Sequence, residues 1–355
     1  AGLDVTARTS SFAFKGQNRS VAEIAASLAV AHVLEGSVQR AADEVRIIAR
    51  LIDARRGTEV WSGYFDRPLE SIFAVQDEIA QSVAVALEST VLEGSDAAGG
   101  LRQRYRPPLA AYEAALRARE AMADENPEDF ARAVEHLERA IALDPDYAEA
   151  YVMLGEAELR LSMMRGGQNR REQMAASQER AEKALALDPL LPEAHAAMGQ
   201  IYVASKQFEQ ARAAFERALE LNPNSVDAYI GLADLAYTQR NFEDGLQLAR
   251  RAVELDPQNE RSLGRVAGFL WSLSRAEEAI AVTREAIARN PERTSNYASL
   301  SRWLLQMGYP GRSSYWLFRG VRLNPDWEQG RFWACLQRLQ LWDFDGAQTC
   351  LEGYL

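Results

Sequence analysis

Residues able to carry acid–base, nucleophilic or metal chemistry are few and scattered. There are three histidines, His32, His136 and His195, and two cysteines, Cys335 and Cys350. None of the histidines has a second ligand or a hydroxyl partner at the spacing of a metal site or a catalytic triad. His195 lies inside an apolar helical phrase and is expected to pack in a core. The cysteines both fall near the C-terminus, so no disulfide framework holds the whole fold. They read as small buried apolar side chains. Phosphate loops, dinucleotide fingerprints, nucleophile elbows and His-Glu-x-x-His helices are missing. "RGGQNRR" contains a Gly-Gly-Gln tripeptide and reads as a flexible loop. Asn18 opens an Asn-Arg-Ser sequon of a kind frequent by chance. The many carboxylates read as solvated helix faces. No catalytic, cofactor-binding or metal-binding residue is assigned, no cofactor is expected, and recognition is the chemistry left.

The 355 residues carry a formal net charge of -11, with 47% apolar and 26% charged residues. That is an ordinary soluble composition, and its acidity argues against broad nucleic-acid binding, which needs a basic face. No apolar run approaches the roughly 20 residues of a membrane span. "AGLDVTARTSSFAFKG" has no signal-peptide core and no initiator Met, so the chain is expected to be an excised part of something longer. The cytoplasm is the expected compartment, or the periplasm if a membrane span lies upstream.

What must position any recognition surface is a repeat. Phrases ending in proline recur: "AIALDP" at Pro145, "ALALDP" at Pro189, "ALELNP" at Pro223, "AVELDP" at Pro257, "AIARNP" at Pro291 and "GVRLNP" at Pro325. The prolines are spaced 44, 34, 34, 34 and 34 residues apart. Proline cannot donate a backbone hydrogen bond and disfavours helix in the residue before it, so each second helix ends there. Ser225 and Thr294 are expected as N-caps, and Pro192 as a first helical residue. Gly155 and Gly199 occupy the eighth position of first helices. Ala211, Phe215 and Ala218 share one face of a second helix, where two helices approach closely. A first unit begins near Pro108, with Tyr112, Ala133, Leu137 and Ala140. The second unit carries an insert, "LSMMRGGQNRREQMAASQ". In the sixth, Ser313 and Gly320 stand where alanines are usual. A seventh begins near Trp327, with Ala347 and Leu351 on its second helix.

This pattern, large-x-x-Leu-Gly-x-x-Tyr, then Ala-x-x-x-Phe-x-x-Ala, then Pro, resembles the tetratricopeptide repeat. The resemblance implies a right-handed helical superhelix whose first helices line a concave face. It also implies which side chains point inward: the second, fifth, ninth, twelfth and thirteenth of each unit. Those positions hold Glu149, Glu156 and Arg160, then Gln200, then Asp227, Asp234 and Tyr237. After them come Arg261 and Trp271, Arg302, Leu305 and Gln306, and finally Phe332. Acidic residues lead as far as Asp234, and arginine with aromatics follows from Arg261. The expected groove anchors are Glu156, Gln200, Asp234, Tyr237, Arg261, Trp271, Arg302, Leu305 and Phe332. The opposite charges would orient a bound segment, its acidic end toward Arg261 and Arg302. The lysine and asparagine that grip chaperone C-termini in some such repeats have no counterpart at positions five and nine.

The front of the chain reads differently. "DVTAR" looks like a short strand, and "SVAEIAASL" like a helix capped by Ser20. "AHVLEGSVQRA", "EVRIIARLIDARRG" and "EVWSGYF" alternate with turn material and predict an antiparallel meander. In the helix that follows, Ile72, Ile79, Val83 and Leu87 form one stripe, suited to covering the sheet. The run from His32 to Ala80 resembles the TolB amino-terminal-like domain, with the match extending over about 3–87. That resemblance implies a bacterial signalling chain with a nucleotidyl cyclase or winged-helix domain further upstream. It also implies a further strand and helix before Ala1. Without them the sheet has an edge that another copy of the chain could fill.

The fold class expected is mainly α: a tetratricopeptide-repeat superhelix preceded by a small α+β domain with an antiparallel sheet. The divisions are 1–91 for the α+β domain, 92–107 for a linker and 108–355 for about six repeats with a truncated seventh. The function expected is a non-catalytic interaction region or scaffold of a bacterial signalling protein, binding a protein or peptide in the concave groove. Nucleic acid and membrane insertion are not expected of it. The alternatives are the regulatory half of a cyclase or transcriptional regulator, and an oligomerisation module built on the N-terminal sheet.

Overall fold

The computed structural model describes residues 5–17, 19–41, 44–68, 72–91, 105–122, 126–166, 170–291, 293–323, 328–340, 343 and 345–346. In chain order the elements begin with α1 (Arg8–Phe12), α2 (Val21–Leu28), β1 (His32–Ala41), β2 (Glu44–Asp53), β3 (Thr58–Pro68) and α3 (Ile72–Val91). Helix pairs follow: α4 (Leu109–Ala121) with α5 (Pro127–Leu143), α6 (Ala148–Met164) with α7 (Arg170–Leu187), and α8 (Pro192–Ala204) with α9 (Phe208–Leu221). Next come α10 (Val226–Thr238) with α11 (Phe242–Leu255), α12 (Glu260–Ser272) with α13 (Ala276–Arg289), α14 (Thr294–Gln306) with α15 (Pro310–Leu323), and α16 (Glu328–Gln340). The chain divides into two compact units, one over Phe14–Ser225 and one joining Leu3–Ala13 to Val226–Leu355.

In the first unit Ser20 and Glu23 form a capping box. The Glu23 amide donates to Ser20 Oγ at 3.3 Å, and the Ser20 amide to Glu23 Oε2 at 2.9 Å. This satisfies amides that a helix start leaves open. The meander forms as β1-β2-β3, antiparallel throughout, with Val38, Ile47 and Phe65 in register across it. Val45, Ile47, Ala49 and Leu51 are buried on one face, while Arg46 and Arg50 face outward to Asp66 and Glu59. Helix α3 lays Ile72, Val75 and Ile79 on Ile47, Phe65 and Trp61, which is the covering role its stripe predicts.

The repeat helices begin at 192, 226, 260, 294 and 328, a strict step of 34. The units ending at Pro145, Pro189 and Pro223 close in the same way. The residue before the proline is extended, with φ of -151° at Asp144 and -140° at Asn222, as proline requires of its predecessor. Its side chain accepts from the amide two residues on, at 2.9 Å for Asp188 and 3.0 Å for Asn222, so the turn has its own hydrogen bond. Ala133, Leu137, Ala140, Ala211, Phe215 and Ala218 are all fully buried. A Cβ on Gly199 would stand 2.5 Å from the Phe215 ring, which explains the glycine at the eighth position of that helix.

Several expectations are corrected. Residues 5–7 are not a strand: the Ala7 amide bonds Leu255 O at 2.8 Å, and α1 follows at once. Ser10 of α1 is fully buried against the α11–α12 turn, donating to Asp256 Oδ1 and accepting from the Gln258 amide at 3.0 Å. Thr294 is not a cap but the first helical residue; Arg293 holds the cap position and makes no side-chain capping hydrogen bond. Pro192 does open α8. The insert of the second unit is mostly helix, because Met, Glu, Gln and Arg are good helix formers. It lengthens α6 to 17 residues and α7 to 18, against 13 and 14 in the third unit. Cys335 is buried and disulfide-bonded rather than a plain apolar thiol. Cys350, Ala347, Leu351, Asn18, most of the linker and two residues of the Gly-Gly-Gln tripeptide lie outside the described residues.

Candidate functional site

Helices α10, α12 and α14 start 34 residues apart, so equivalent side chains stand in rungs. Asp234, Gly268 and Arg302 form one rung; Tyr237, Trp271 and Leu305 form the next; Thr238, Ser272 and Gln306 form the third. Between these helices lies a cleft of about 480 Å³, lined among others by Tyr237, Gly264, Gly268, Trp271, Arg302 and Gln306. Its floor is bare α12 backbone, because nothing stands within 4 Å of where a Cβ on Gly264 or Gly268 would be. These glycines are therefore not demanded by packing. Their effect is to leave room.

One wall of the cleft is aromatic. Trp271 stacks on Trp303 with ring centroids 5.2 Å apart and planes 8° from parallel, while Trp303 itself is buried. Trp271 thus packs against the neighbouring repeat and lines the cleft at the same time. Tyr237 is 52% exposed and meets the Phe269 ring edge-on at 5.6 Å. The polar groups divide into occupied and open. Ser272 Oγ donates to the Gly268 carbonyl at 3.0 Å, and Thr238 Oγ1 to the Asp234 carbonyl at 3.0 Å. Arg302 is exposed and meets no carboxylate among the described residues.

The charge switch of the lining does not survive as two opposed ends. Asp234 is held by Arg265 at 2.5 Å and by Arg261 at 3.6 Å, and Arg261 also reaches Asp227 at 4.0 Å. The acid and the arginines meet across α10 and α12 and neutralise one another, so Asp234 is not left to receive a basic end. Of the nine expected anchors, Tyr237, Trp271 and Arg302 line the cleft, and Asp234 and Arg261 belong to the ion-pair cluster beside it. Leu305 and Phe332 are not among the residues lining the cleft; Phe332 is 43% exposed on α16 beside Trp333. Glu156 and Gln200 lie in the other unit, where Glu156 stands 3.1 Å from Arg160.

The sequence reading missed Arg265, Trp303 and the two glycines. Gly264 and Gly268 sit at the fifth and ninth positions of their unit, so the rung rule does reach them. An inward position without a side chain offers no group for a sequence reading to single out. His195 is also placed differently: it is half-buried, with Nε2 bonded to the Pro189 carbonyl at 2.9 Å. Tyr151, at the same position of the preceding unit, donates likewise to the Pro145 carbonyl at 3.1 Å. Among the described residues no group of histidine, cysteine and carboxylates could hold a metal ion.

A family model for the tetratricopeptide repeat matches residues 121–162 and 196–260. Over those residues the chain is similar to that repeat. One curated relative, putative adenylate cyclase 3 of Rhizobium meliloti (strain 1021), is 38% identical over 154 residues. That match spans 43% of this chain and 26% of the relative, so the chain corresponds to about a quarter of the relative's length. Among solved structures, yeast Tom70 is similar at 17% identity with a TM-score of 0.49, covering 71% of this chain and 61% of Tom70. Pseudomonas aeruginosa pilF is similar at 16% identity and a TM-score of 0.46, covering 58% and 89% of the two chains. YrrB, described as a tetratricopeptide-repeat protein with an unusual peptide-binding site, is similar at 18% identity and 0.37, covering 56% and 96%.

Proposed function

We propose that this chain is a non-catalytic interaction region of a bacterial signalling or regulatory protein, and that it holds an extended segment of a protein partner in the α10–α12–α14 cleft. The observation that carries the reading is the conjunction of an open glycine floor, a stacked Trp271–Trp303 wall and an arginine, Arg302, that meets no carboxylate among the described residues. An apolar side chain of the partner would lie over Gly264 and Gly268 against Trp271, and an acidic side chain would meet Arg302. Aromatic and arginine anchors of this kind dominate many interfaces. The test is a display library of random peptides selected on the immobilised chain. Selected peptides should share an apolar and an acidic residue and should lose affinity for Trp271→Ala. A selection without consensus, or one insensitive to Trp271, would defeat the reading.

The kinship with a putative adenylate cyclase favours a further reading of context, in which the repeats are the regulatory part of a chain whose effector is a nucleotidyl cyclase. The TolB-like resemblance of the front supports the same context. The oligomerisation proposal rests on β1, an edge strand whose Leu34 and Val38 are 50% and 66% exposed on the same face as buried Leu51 and Ile47. A two-fold axis at Gly36 would set Leu34 opposite Val38 of a second copy. Sedimentation velocity should then show a dimer that Val38→Lys dissociates; a monomer at every concentration would remove this proposal.

A further inference from the structure

The groove uses first helices, but the most unusual charge distribution lies on a second helix. From Arg293 to Leu323 the chain has five arginines and no acidic residue, within a protein of net charge -11. Repeat register shows what has changed. On α9, Arg217 pairs with Glu220 at 2.7 Å, and on α11, one step of 34 later, Arg251 pairs with Glu254 at 3.1 Å. Two further steps on, the same positions of α15 hold Arg319 and Arg322. The acid has become a second arginine. Like charges at i and i+3 on a helix are mildly destabilising, so the exchange carries a cost. Neither arginine meets a carboxylate among the described residues.

The surroundings make this more than a charge run. Arg312, Tyr315, Trp316, Arg319, Arg322 and Leu323 share the outward face of α15 by helical spacing. Arg284 of α13 and Arg319 both sit over the Trp316 ring, at 5.8 and 5.4 Å from its centre. Such stacking holds guanidinium planes in place while leaving their donor edges open. Tyr315, set edge-on to Trp316 at 5.4 Å, is 58% exposed, and Leu323 is 47% exposed. Two of the acids of α13 are already engaged locally: Glu278 with Arg275 and Glu285 with Arg289.

We infer that the outward face of α15, with Arg284 of α13, is a second docking surface that takes a short acidic segment of a partner protein bearing an apolar side chain. It goes beyond the groove reading and does not depend on it. Carboxylates would pair with the forked donors of Arg319, Arg322 and Arg284, and the apolar side chain would cover Tyr315 and Leu323. A long nucleic acid fits less well. It would extend past α15 onto the carboxylates of α13 and the net negative remainder of the chain.

The experiment uses the full chain and a fluorescein-labelled peptide of aspartate and glutamate with one central leucine, read by anisotropy at low and physiological salt. The expected result is salt-sensitive binding that the asparagine–glutamine analogue of the peptide lacks. Arg322→Glu is the decisive variant, because it recreates the Arg–Glu pair of α9 and α11. It should melt at or above the wild-type temperature while weakening the peptide by about tenfold or more. Unchanged affinity in Arg322→Glu would overturn the inference. So would affinity lost in Arg302→Ala and not in Arg322→Glu, which would move the peptide to the cleft. Tighter binding of a duplex DNA than of the peptide would overturn it in favour of nucleic acid.

Discussion

Glycines at Gly199 and Gly268 look alike in the sequence and should respond oppositely to one added methyl group. Mid-helix glycine is ordinarily worse than alanine by about 0.5–1 kcal/mol. At Gly268 the space is open, so Gly268→Ala should raise stability by about that amount. At Gly199 the new Cβ would meet the buried Phe215 ring, and Gly199→Ala should lower stability by about 1–3 kcal/mol. Thermal melts of the two variants decide this by sign. Ala218→Leu, at a fully buried position, should also cost about 1–3 kcal/mol, and an unchanged melt would count against the register of the repeat. A titration belongs at this scale too. Hydrogen bonds from the Ser20 amide and hydroxyl hold the Glu23 carboxyl below its usual range. Because the folded value is the lower one, the contribution to α2 is complete above the unfolded pKa. It fades as pH falls through the folded value. Glu23→Gln should remove that acid-side dependence; an unchanged acid limb would exclude the capping box as its source.

Turns between paired helices repeat as faithfully as the helices do. Lys206, Arg240, Ser274 and Gly308 stand 34 apart, and all four have left-handed φ, between 59° and 82°. In each, the next amide reaches back five residues, as Gln207 to Tyr202 at 2.8 Å and Tyr309 to Leu304 at 2.9 Å, closing a Schellman motif. Only one of the four is glycine, so Arg240→Gly should stabilise by up to about 1 kcal/mol and Gly308→Ala should destabilise by a similar amount. A lower melt for Arg240→Gly would contradict the geometry. The same scale explains the sixth unit. Ser313, which stands where alanine is usual, accepts from Gln337 Nε2 at 2.8 Å, and Gln337 also reaches Ser301 Oγ at 3.1 Å. All three side chains are buried, so Ser313→Ala should cost about 1–3 kcal/mol, partly recovered when Ser301→Ala and Gln337→Leu are added. No recovery would mean that the hydroxyls act through packing alone. Much of this was legible, because proline spacing and small-residue positions depend on local sterics. The helical insert and the Ser10–Asp256 contact were not: the first turned on propensity across an apparent loop, the second on residues 246 apart.

At the scale of the whole chain, aromatic residues concentrate in the later repeats, and both proposed surfaces lie there. The sequence placed Tyr237, Trp271 and Arg302 along one lining because rung positions follow from the 34-residue step. It could not show that Asp234 is consumed by Arg261 and Arg265, since ion pairing between helices depends on side-chain reach. Nor could it show that two absent side chains make the cleft. That last point gives the most direct test of the groove. Gly268→Leu places a bulky side chain into open space on the cleft floor without touching the core, and leucine is a better helix former than glycine. The measurement is the affinity of the full chain for a display-selected peptide, with a melt of each variant in parallel. The account predicts an equal or higher melting temperature together with a loss of affinity of about tenfold or more, which is about 1.4 kcal/mol. A Gly268→Leu protein that stays folded and binds the peptide as tightly as wild type would contradict it.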